Sequence, residues 1–119
     1  MTPGWIGVDL DGTLARYDKW MGADHIGAPV PAMLDRVKQW LAEGKDVRIF
    51  TARVSSDGSE FMDREAAVAR LAIREWCEVH IGQPLRITNA KDYAMVELWD
   101  DRCVQVVPNT GQPVTGERP

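Results

Sequence analysis

Residues 5–14, WIGVDLDGTL, form a short apolar run that ends in two aspartates and a glycine. A short apolar run closed by a turn signal is typical of a buried strand. Asp9 and Asp11 stand two positions apart, so an extended backbone turns their side chains toward the same face. We therefore predict a strand that ends in two converging carboxylates.

Outward from this stretch, strand-like and helix-like patterns alternate. Apolar residues at three- and four-residue steps predict a helix over 30–41, with Pro31 in its first turn and Gly44 at its C-terminal cap. A second helix is predicted over about 61–79, facing inward through Phe61, Ala69, Ile73, Trp76 and Cys77. Further strands are predicted at 47–50, 85–88, 94–99 and 103–107, with a loop or flap at 15–28.

This alternation predicts an α/β protein with a Rossmann-like, doubly wound, mostly parallel sheet of about five strands and helices on both faces. The chain has 119 residues, a length typical of one domain. We expect a core over residues 1–108 and a flexible C-terminal tail over residues 109–119, where Pro, Gly, Thr and charged residues dominate.

Composition excludes several classes of protein. Apolar residues make up 45% and charged residues 27%, which argues against disorder, collagen and coiled coil. No apolar run has the length of a membrane span, and no secretory signal is visible. The net charge of −4 disfavours broad nonspecific binding to nucleic acid. We expect Cys77 and Cys103 to be buried thiols of a cytoplasmic protein.

Polar residues follow three of the predicted strands. The first strand ends in Asp9 and Asp11, the second in Thr51, and the fourth in Asp100 and Asp101. Each of these alone is ordinary turn chemistry, but ligands of parallel sheets bind beyond the C-terminal ends of the strands. The joint pattern therefore predicts a site at that edge, with Lys91 just before the fourth strand as a further candidate.

Carboxylates crowded at one edge repel each other, by about 4 kcal/mol for two unit charges 4 Å apart at an effective dielectric constant of 20. A shared proton, a nearby Lys91 or a divalent cation would offset this repulsion. An oxygen-only site of two or three carboxylates suits Mg²⁺. An EF-hand loop that begins at Asp9 would need Glu at its twelfth position, which is Trp20 here. The sequence also contains no phosphate-binding loop, no dinucleotide-binding fingerprint and no His or Cys cluster with the spacing of a zinc site.

Residues 8–14 resemble the first motif, Asp-x-Asp-Gly-Thr, of the haloacid dehalogenase superfamily of phosphohydrolases. Thr51 matches its second motif, Lys91 its third, and Asp100 with Asp101 its fourth, so that the resemblance spans residues 5–107. It implies that Asp9 attacks phosphorus and that Asp11 protonates the leaving oxygen and later activates water.

The resemblance also implies roles for the other motif residues. Thr51 would hold the phosphoryl oxygens, and Lys91 would orient Asp9. Mg²⁺ would be held by Asp9, the backbone carbonyl of Asp11 and Asp100, with Asp101 acting directly or through water. The implied substrate contacts are Gly12, Thr51, Ala52 and Arg53, and further candidates near the flap or after the second motif are Arg16, Lys19, His25 and Arg64.

The spacing of the motifs leaves no room for a cap domain, which resembles the capless members of this superfamily. An open site would admit a bulky phosphorylated substrate or be closed by a second copy in a homo-oligomer. The element Thr51-Ala52-Arg53 is similar to one in the phosphatase domain of polynucleotide kinase-phosphatases, so the substrate is either a nucleic-acid end phosphate or a small phosphoester. No membrane partner is expected.

Two non-enzymatic alternatives remain beside a phosphatase. One is a phosphoacceptor module like a receiver domain, which also combines an acidic pair, Thr, Lys and an acceptor Asp. The order of motifs argues against it, because receivers place their acidic pair at the first strand and the acceptor on a middle strand. The other is a module that binds phosphate or metal without catalysis.

Overall fold

A computed structural model describes residues 4–115 of the chain. The elements are β1 (Trp5–Asp9), α1 (Pro31–Ala42), β2 (Asp46–Phe50), a single 3-10 turn (Ala52–Val54), α2 (Glu60–His80), β3 (Arg86–Thr88) and β4 (Met95–Trp99). The four strands are parallel and lie in the order β3-β2-β1-β4. The predicted α/β class is confirmed, and β1, which ends in Asp9, lies inside the sheet with a neighbour on each side.

The sheet has four strands in the described residues, so the predicted fifth strand at 103–107 is wrong. Val106 instead forms an isolated antiparallel bridge with Pro113, and the Val114 amide donates to the Gln105 carbonyl. Nearly every residue of this segment is exposed. A short apolar run does not specify a pairing partner, and prolines at 108 and 113 cannot donate to a ladder.

One hydrophobic core lies between the sheet and both helices. Its main residues are Ile6, Val8, Val47 and Ile49 from the strands, Met33 and Val37 from α1, and Ala69, Ile73, Trp76 and Cys77 from α2. The strand residues alternate along β1 and β2 and therefore share one face of the sheet. Both helices pack on that face, and the prediction of helices on both faces is wrong.

Chain connectivity explains this arrangement. The connections from β1 to β2 and from β2 to β3 step across the sheet in the same direction. Parallel crossovers are right-handed in nearly all proteins, which places both crossover helices on the same side. The return from β3 to β4 runs through residues 89–94, which are too few for a helix of ordinary length.

This return loop covers part of the second face of the sheet. The Trp5 indole Nε1 donates to Asp92 Oδ1 at 2.7 Å, and the Arg48 guanidinium lies 4.6 Å from the centre of a Trp5 ring. Phe50 stacks on Trp5 from the neighbouring strand, with ring centroids 6.5 Å apart. Trp5 is consequently only 1% exposed, although no helix covers it.

The helix ends follow ordinary capping chemistry. Pro31 begins α1, and Gly44 adopts a φ of +80° just beyond its end. The Ser59 hydroxyl accepts a hydrogen bond from the Met62 amide at the start of α2. Phe61 was predicted to face the core, but it is 63% exposed. In the first turn of a helix the apolar periodicity has too few residues to define a face.

Residues 16–28 form the predicted loop, which we call the flap. Its ends are fixed by backbone hydrogen bonds from Arg16 to Ala28 and from Val30 to Leu14. The Trp76 indole of α2 donates to the Gly27 carbonyl at 2.9 Å. A Cβ atom at position 27 would collide with the Arg16 carbonyl oxygen, so glycine permits the close approach of the two arms of the flap.

Both cysteines are free thiols. Cys77 is buried as predicted, and burial raises the pKa of its thiol to about 11. Cys103 is exposed, so the prediction of a buried thiol is wrong there, because residues 103–107 do not join the sheet. The domain boundary at 108 stays a prediction. The last four residues of the predicted tail, 116–119, lie outside the described part of the chain. Among residues 4–115, no helix combines the length and apolar character of a membrane span.

Candidate active site

The predicted site residues converge at the C-terminal edge of the sheet. Asp9 ends β1, Thr51 follows β2, and Asp100 follows β4. A cavity of about 600 Å³ opens at this edge. Seven of the predicted site residues line it, namely Asp9, Asp11, Thr51, Ala52, Arg53, Asp100 and Asp101. The parallel sheet therefore brings together side chains that are up to 92 positions apart, between Asp9 and Asp101.

Three carboxylates form the floor of this cavity. Asp9, Asp100 and Asp101 each offer an oxygen atom, and these atoms all lie within 4.8 Å of one another. Burial of Asp9, repulsion from Asp100 and the neighbouring Asp101 together raise the pKa of Asp9 from 3.8 to about 7. A hydrogen bond from Thr13 acts in the opposite direction but does not outweigh them.

Thr13 links two of the acids. Its hydroxyl donates to Asp9 Oδ2 at 3.1 Å and accepts from the Asp101 backbone amide at 3.1 Å. The residue stands in the first motif, but its role as a bridge was not predicted, because the position of Asp101 could not be known from sequence. Thr13 thus ties the end of β1 to the turn after β4.

Gly12 lies next to the carboxylate cluster rather than in the cavity wall. Its φ of +87° is one that side chains rarely adopt, and a Cβ atom there would collide with the Asp101 carboxylate. Glycine therefore lets Asp101 approach the turn after β1. The predicted contact of Gly12 with substrate stays a prediction.

Asp11 is held by Arg53. The guanidinium donates from Nε to Asp11 Oδ2 at 2.7 Å and from Nη2 to Asp11 Oδ1 at 2.9 Å. This two-point contact fixes the orientation as well as the position of the carboxylate. The Arg53 side chain is only 5% exposed and that of Asp11 20%, so the pair is well shielded from water.

Arg53 also holds the flap. Its Nη1 donates to the carbonyls of Gly22 and Ala23, and its Cζ lies 4.9 Å from the centre of a Trp20 ring. Arg53 was predicted as a substrate contact, and its position in the cavity wall is compatible with that role. In this structure, however, its hydrogen bonds go to Asp11 and the flap.

Thr51 is a buried polar residue, 2% exposed, at the cavity wall. Its backbone amide donates to the Thr88 carbonyl of β3, and its side-chain oxygen accepts from the Arg53 amide at 3.2 Å. An accepting hydroxyl still carries a proton that it can donate. Thr51 is therefore able to donate a hydrogen bond to an anionic group in the cavity.

Lys91 does not line the cavity. It is exposed in the loop from β3 to β4, and among residues 4–115 no hydrogen bond or ion pair joins it to Asp9. The loop has to return to the start of β4, and Asp92 already contacts Trp5 at the far end of β1. The role assigned to Lys91 stays a prediction that this placement does not support.

The other cationic candidates also lie elsewhere. Arg16, Lys19 and His25 line a second, smaller cavity of about 280 Å³ at the flap. Arg64 is exposed on α2 and lies 3.8 Å from a Glu60 carboxylate oxygen. None of these four residues lines the cavity that holds the carboxylates.

Several cavity residues were not predicted as site residues. They are Tyr17, Phe50, Ser55, Phe61, Met62, Glu65 and Arg102. Trp20 also lines the cavity, and the sequence left two interpretations of it open, stacking on a base or packing of the flap. Arg102 stands next to the acidic pair, and its backbone amide donates to Asp100 Oδ1 at 2.8 Å. The aromatic members come from the flap, β2 and α2, whose proximity depends on tertiary structure and has no local signal.

The donor set suits a hard divalent cation. Three carboxylate oxygens within 4.8 Å of one another match the all-oxygen ligands that Mg²⁺ takes in proteins. The pKa of Asp9 is raised first by its burial and then by the negative charge of Asp100, and a bound cation would act against both effects. The Asp11 side chain is engaged by Arg53 and is not one of the three clustered acids, and the Asp11 carbonyl as a ligand stays what the resemblance implies.

No family model matches the chain, and no curated protein matches it. A solved structure of a conserved protein from Bacteroides thetaiotaomicron is similar, with a TM-score of 0.54 and 21% sequence identity over 88% of this chain and 81% of that one. This likeness supports a Rossmann-like α/β fold.

Proposed function

We propose that this protein is a Mg²⁺-dependent phosphomonoester hydrolase that acts through an aspartyl phosphate on Asp9. The observation that carries the proposal is the cluster of Asp9, Asp100 and Asp101 within 4.8 Å, with Asp11 on the same cavity wall. The resemblance of the four motifs, in order, to haloacid dehalogenase phosphohydrolases supports it. The free thiols are compatible with the cytoplasm as its compartment.

In the first half-reaction an Asp9 carboxylate oxygen attacks phosphorus. The bond from phosphorus to the leaving oxygen breaks, and Asp11 gives its proton to that oxygen, which leaves as an alcohol. In the second half-reaction Asp11 takes a proton from water, whose oxygen attacks phosphorus. The bond from phosphorus to Asp9 breaks and inorganic phosphate is released. Splitting one slow displacement into two is the benefit of a carboxylate nucleophile.

Other residues of the chain support these steps. Thr51 donates its hydroxyl proton to a phosphoryl oxygen, and Thr13 holds the Asp9 carboxylate by its hydrogen bond. Arg53 keeps Asp11 at the cavity wall by donating to both of its oxygens, so one of these hydrogen bonds has to open before that oxygen carries the proton for the leaving group. Asp9, Asp100 and the Asp11 carbonyl, with Asp101 acting directly or through water, would hold a Mg²⁺ ion, which would supply positive charge against the carboxylates and the phosphate.

The test is hydrolysis of p-nitrophenyl phosphate with Mg²⁺ or with chelator, by wild type, Asp9→Asn and Asp35→Asn in parallel. Asp35 is an exposed acid of α1 outside the cavity, so its variant is a matched control. We expect metal-dependent turnover in wild type and Asp35→Asn, and a loss of at least about a thousandfold in Asp9→Asn. Wild-type turnover in Asp9→Asn would remove Asp9 as nucleophile.

The non-enzymatic alternatives predict different outcomes of the same experiment. Stoichiometric, Mg²⁺-dependent phosphorylation of Asp9 by a small phosphodonor without turnover would contradict the hydrolase and indicate a phosphoacceptor module. Binding of Mg²⁺ and phosphate with neither phosphorylation nor turnover would indicate a binding module. Closure of the site by a second copy of the chain stays a prediction, which the molecular mass in solution tests.

A further inference from the structure

The cavity that holds the carboxylates is also lined by aromatic side chains, which we call its rim. Four of the nine aromatic side chains of the protein line it: Tyr17 and Trp20 from the flap, Phe50 from β2 and Phe61 from α2. Three of these are exposed, Tyr17 by 38%, Trp20 by 54% and Phe61 by 63%. Large rings exposed together around a polar floor are typical of a surface that a ligand covers.

The position of Trp20 is set by the catalytic machinery itself. The guanidinium that contacts its ring is the one that holds Asp11, and the same guanidinium binds the flap carbonyls of Gly22 and Ala23. A cation against one ring face adds a cation–π attraction. Arg53 therefore contacts both the Trp20 ring and the Asp11 carboxylate, while about half of the Trp20 surface is exposed to solvent.

The chemistry of floor and rim differs, and each selects a part of the ligand. Three carboxylates select a cation and, through it, a phosphate. Tyr17, Trp20 and Phe61 offer ring faces and edges, which favour a flat aromatic group through stacking. A plain sugar phosphate would leave these rings in water and gain nothing from them.

Resting on the proposed function, we propose that the substrate is a phosphomonoester whose leaving group carries a flat aromatic ring, as a nucleoside monophosphate does, and that Trp20 recognises this ring. The volume of about 600 Å³ lies in the usual range of cavities for single small molecules. The net charge of −4 disfavours a long nucleic-acid strand and favours one nucleotide.

The test compares a nucleoside 5′-monophosphate with ribose 5-phosphate, which has the same phosphate and sugar without the base. We expect wild type to hydrolyse the nucleotide with the higher kcat/KM. Trp20→Leu should reduce that preference about tenfold, mainly through KM, because stacking contributes similarly to ground state and transition state. Trp20→Phe should retain most of the preference.

Tyr93→Leu is the matched control, since Tyr93 is a fully exposed aromatic residue outside the cavity and should leave the preference unchanged. A purely structural role of Trp20, acting through Arg53, would lower hydrolysis of both substrates equally. That result, or a wild type without preference for the nucleotide, would overturn the inference.

Binding measurements separate this inference from the hydrolase. Calorimetry with the same two phosphates and Mg²⁺ is done on wild type if it is inactive, and otherwise on Asp9→Asn. Tighter binding of the nucleotide, lost when Trp20→Leu is added, would support the aromatic site even if neither ester is hydrolysed. In that case only the proposed hydrolase activity would be wrong. Hydrolysis of both esters with equal binding would overturn the aromatic site and leave the hydrolase standing.

Discussion

Asp9 is an acid whose surroundings favour its neutral form, although its proposed role requires the charged one. Its burial and the nearby Asp100 and Asp101 raise its pKa to about 7, while the Thr13 hydroxyl stabilises the carboxylate only in part. A divalent cation reverses this balance, because it favours the ionised form of every acid in the cluster. Metal binding and ionisation of Asp9 are therefore linked.

This linkage predicts a pH-dependent stability. Because the folded-state pKa of Asp9 is raised, the folded protein binds that proton more tightly than the unfolded chain, and stability is lost as pH rises from about 4 through about 7. In chelator, we expect Asp9→Asn to be more stable than wild type at pH 8 by about 1–2 kcal/mol and equal to it at pH 4. This difference in the free energy of unfolding is smaller than a fully buried carboxyl group would give, because Asp9 is only half-buried and solvent screens its charge.

Urea unfolding at a series of pH values, with and without Mg²⁺, measures this effect. Mg²⁺ should stabilise wild type at pH 8 by more than it stabilises Asp9→Asn, which keeps Asp100 and Asp101 as ligands. Comparison with the variant removes the contributions of histidines and of other acids. Identical pH profiles for the two proteins would show that Asp9 titrates normally.

For single residues, the sequence predicted correctly the positions of those that end a strand or follow it directly. Asp9, Asp11, Thr51 and Asp100 are found at the edge because each stands at or just after a strand end, where the chain has little freedom. Lys91 stands in a connecting loop, whose course is decided by the position of the next strand. Its placement could not be predicted until the strand order was known.

Among the elements, the turn after β1 is the most constrained. It carries Asp11, the left-handed Gly12 and the bridging Thr13 within three residues, and it approaches the turn after β4 closely enough for a backbone amide to donate to Thr13. The turn therefore holds the acids of two separate strands in fixed relation.

Gly12→Ala is expected to disrupt this relation. Alanine at a φ of +87° is strained, and its Cβ would in addition displace the Asp101 carboxylate. Gly58→Ala is the matched control, because Gly58 has a φ of +90° but open space around its Cα. Each variant should lose about 1 kcal/mol through backbone strain.

The additional effects should appear in Gly12→Ala alone. We expect a further loss of stability and at least about tenfold weaker Mg²⁺ affinity, which corresponds to about 1.4 kcal/mol. Chemical unfolding and metal titration followed by calorimetry measure the two effects. Equal behaviour of the two alanine variants would show that Asp101 adapts freely and that the close approach is unimportant.

Element boundaries were predicted well where chemistry marks them. Pro31 and Gly44 bracket α1, and both helices were placed within about two residues of their observed ends. The prediction of a fifth strand was wrong because a strand exists only through its partner. Within residues 4–115 the outer edge of β4 carries no further strand, and the run at 103–107 bridges to Pro113 instead of pairing with that edge. The prediction that Phe61 faces the core was wrong because one helical turn does not establish a periodicity.

At the scale of the whole molecule, the protein is a sheet with two helices on one face and a loop on part of the other. The α/β class followed from the alternation of patterns, whereas the side on which each helix packs depends on strand order. That order brings residues distant in sequence together and leaves no local signal. Packing of Trp5 beneath Arg48 and Asp92 replaces the missing helix at one point of the second face.

The C-terminal segment contributes little to this architecture. From 102 to 115 nearly every residue is exposed, and the hydrogen bonds of the segment are mainly local. Deletion of residues 109–119 should change the free energy of unfolding by less than about 1 kcal/mol, because residues 109–115 bury little apolar surface. Urea unfolding and hydrolysis of p-nitrophenyl phosphate check the truncated chain. A loss of several kcal/mol or of activity would move the boundary of the core beyond 108.

The pairing of β1 with β4 has a consequence for the time course of folding. Trp5 lies beside Met95, so the two strands that carry the acids join only after some 90 further residues have been synthesised. Strand pairs so distant in sequence are intrinsically slow to form. Until β4 docks, Asp9 has no acidic neighbours from the second turn, and a growing chain on the ribosome holds neither the repulsion nor the cation site. The repulsion between the carboxylates and the cation site both form when β4 docks, and Mg²⁺ in the medium should favour the docked state.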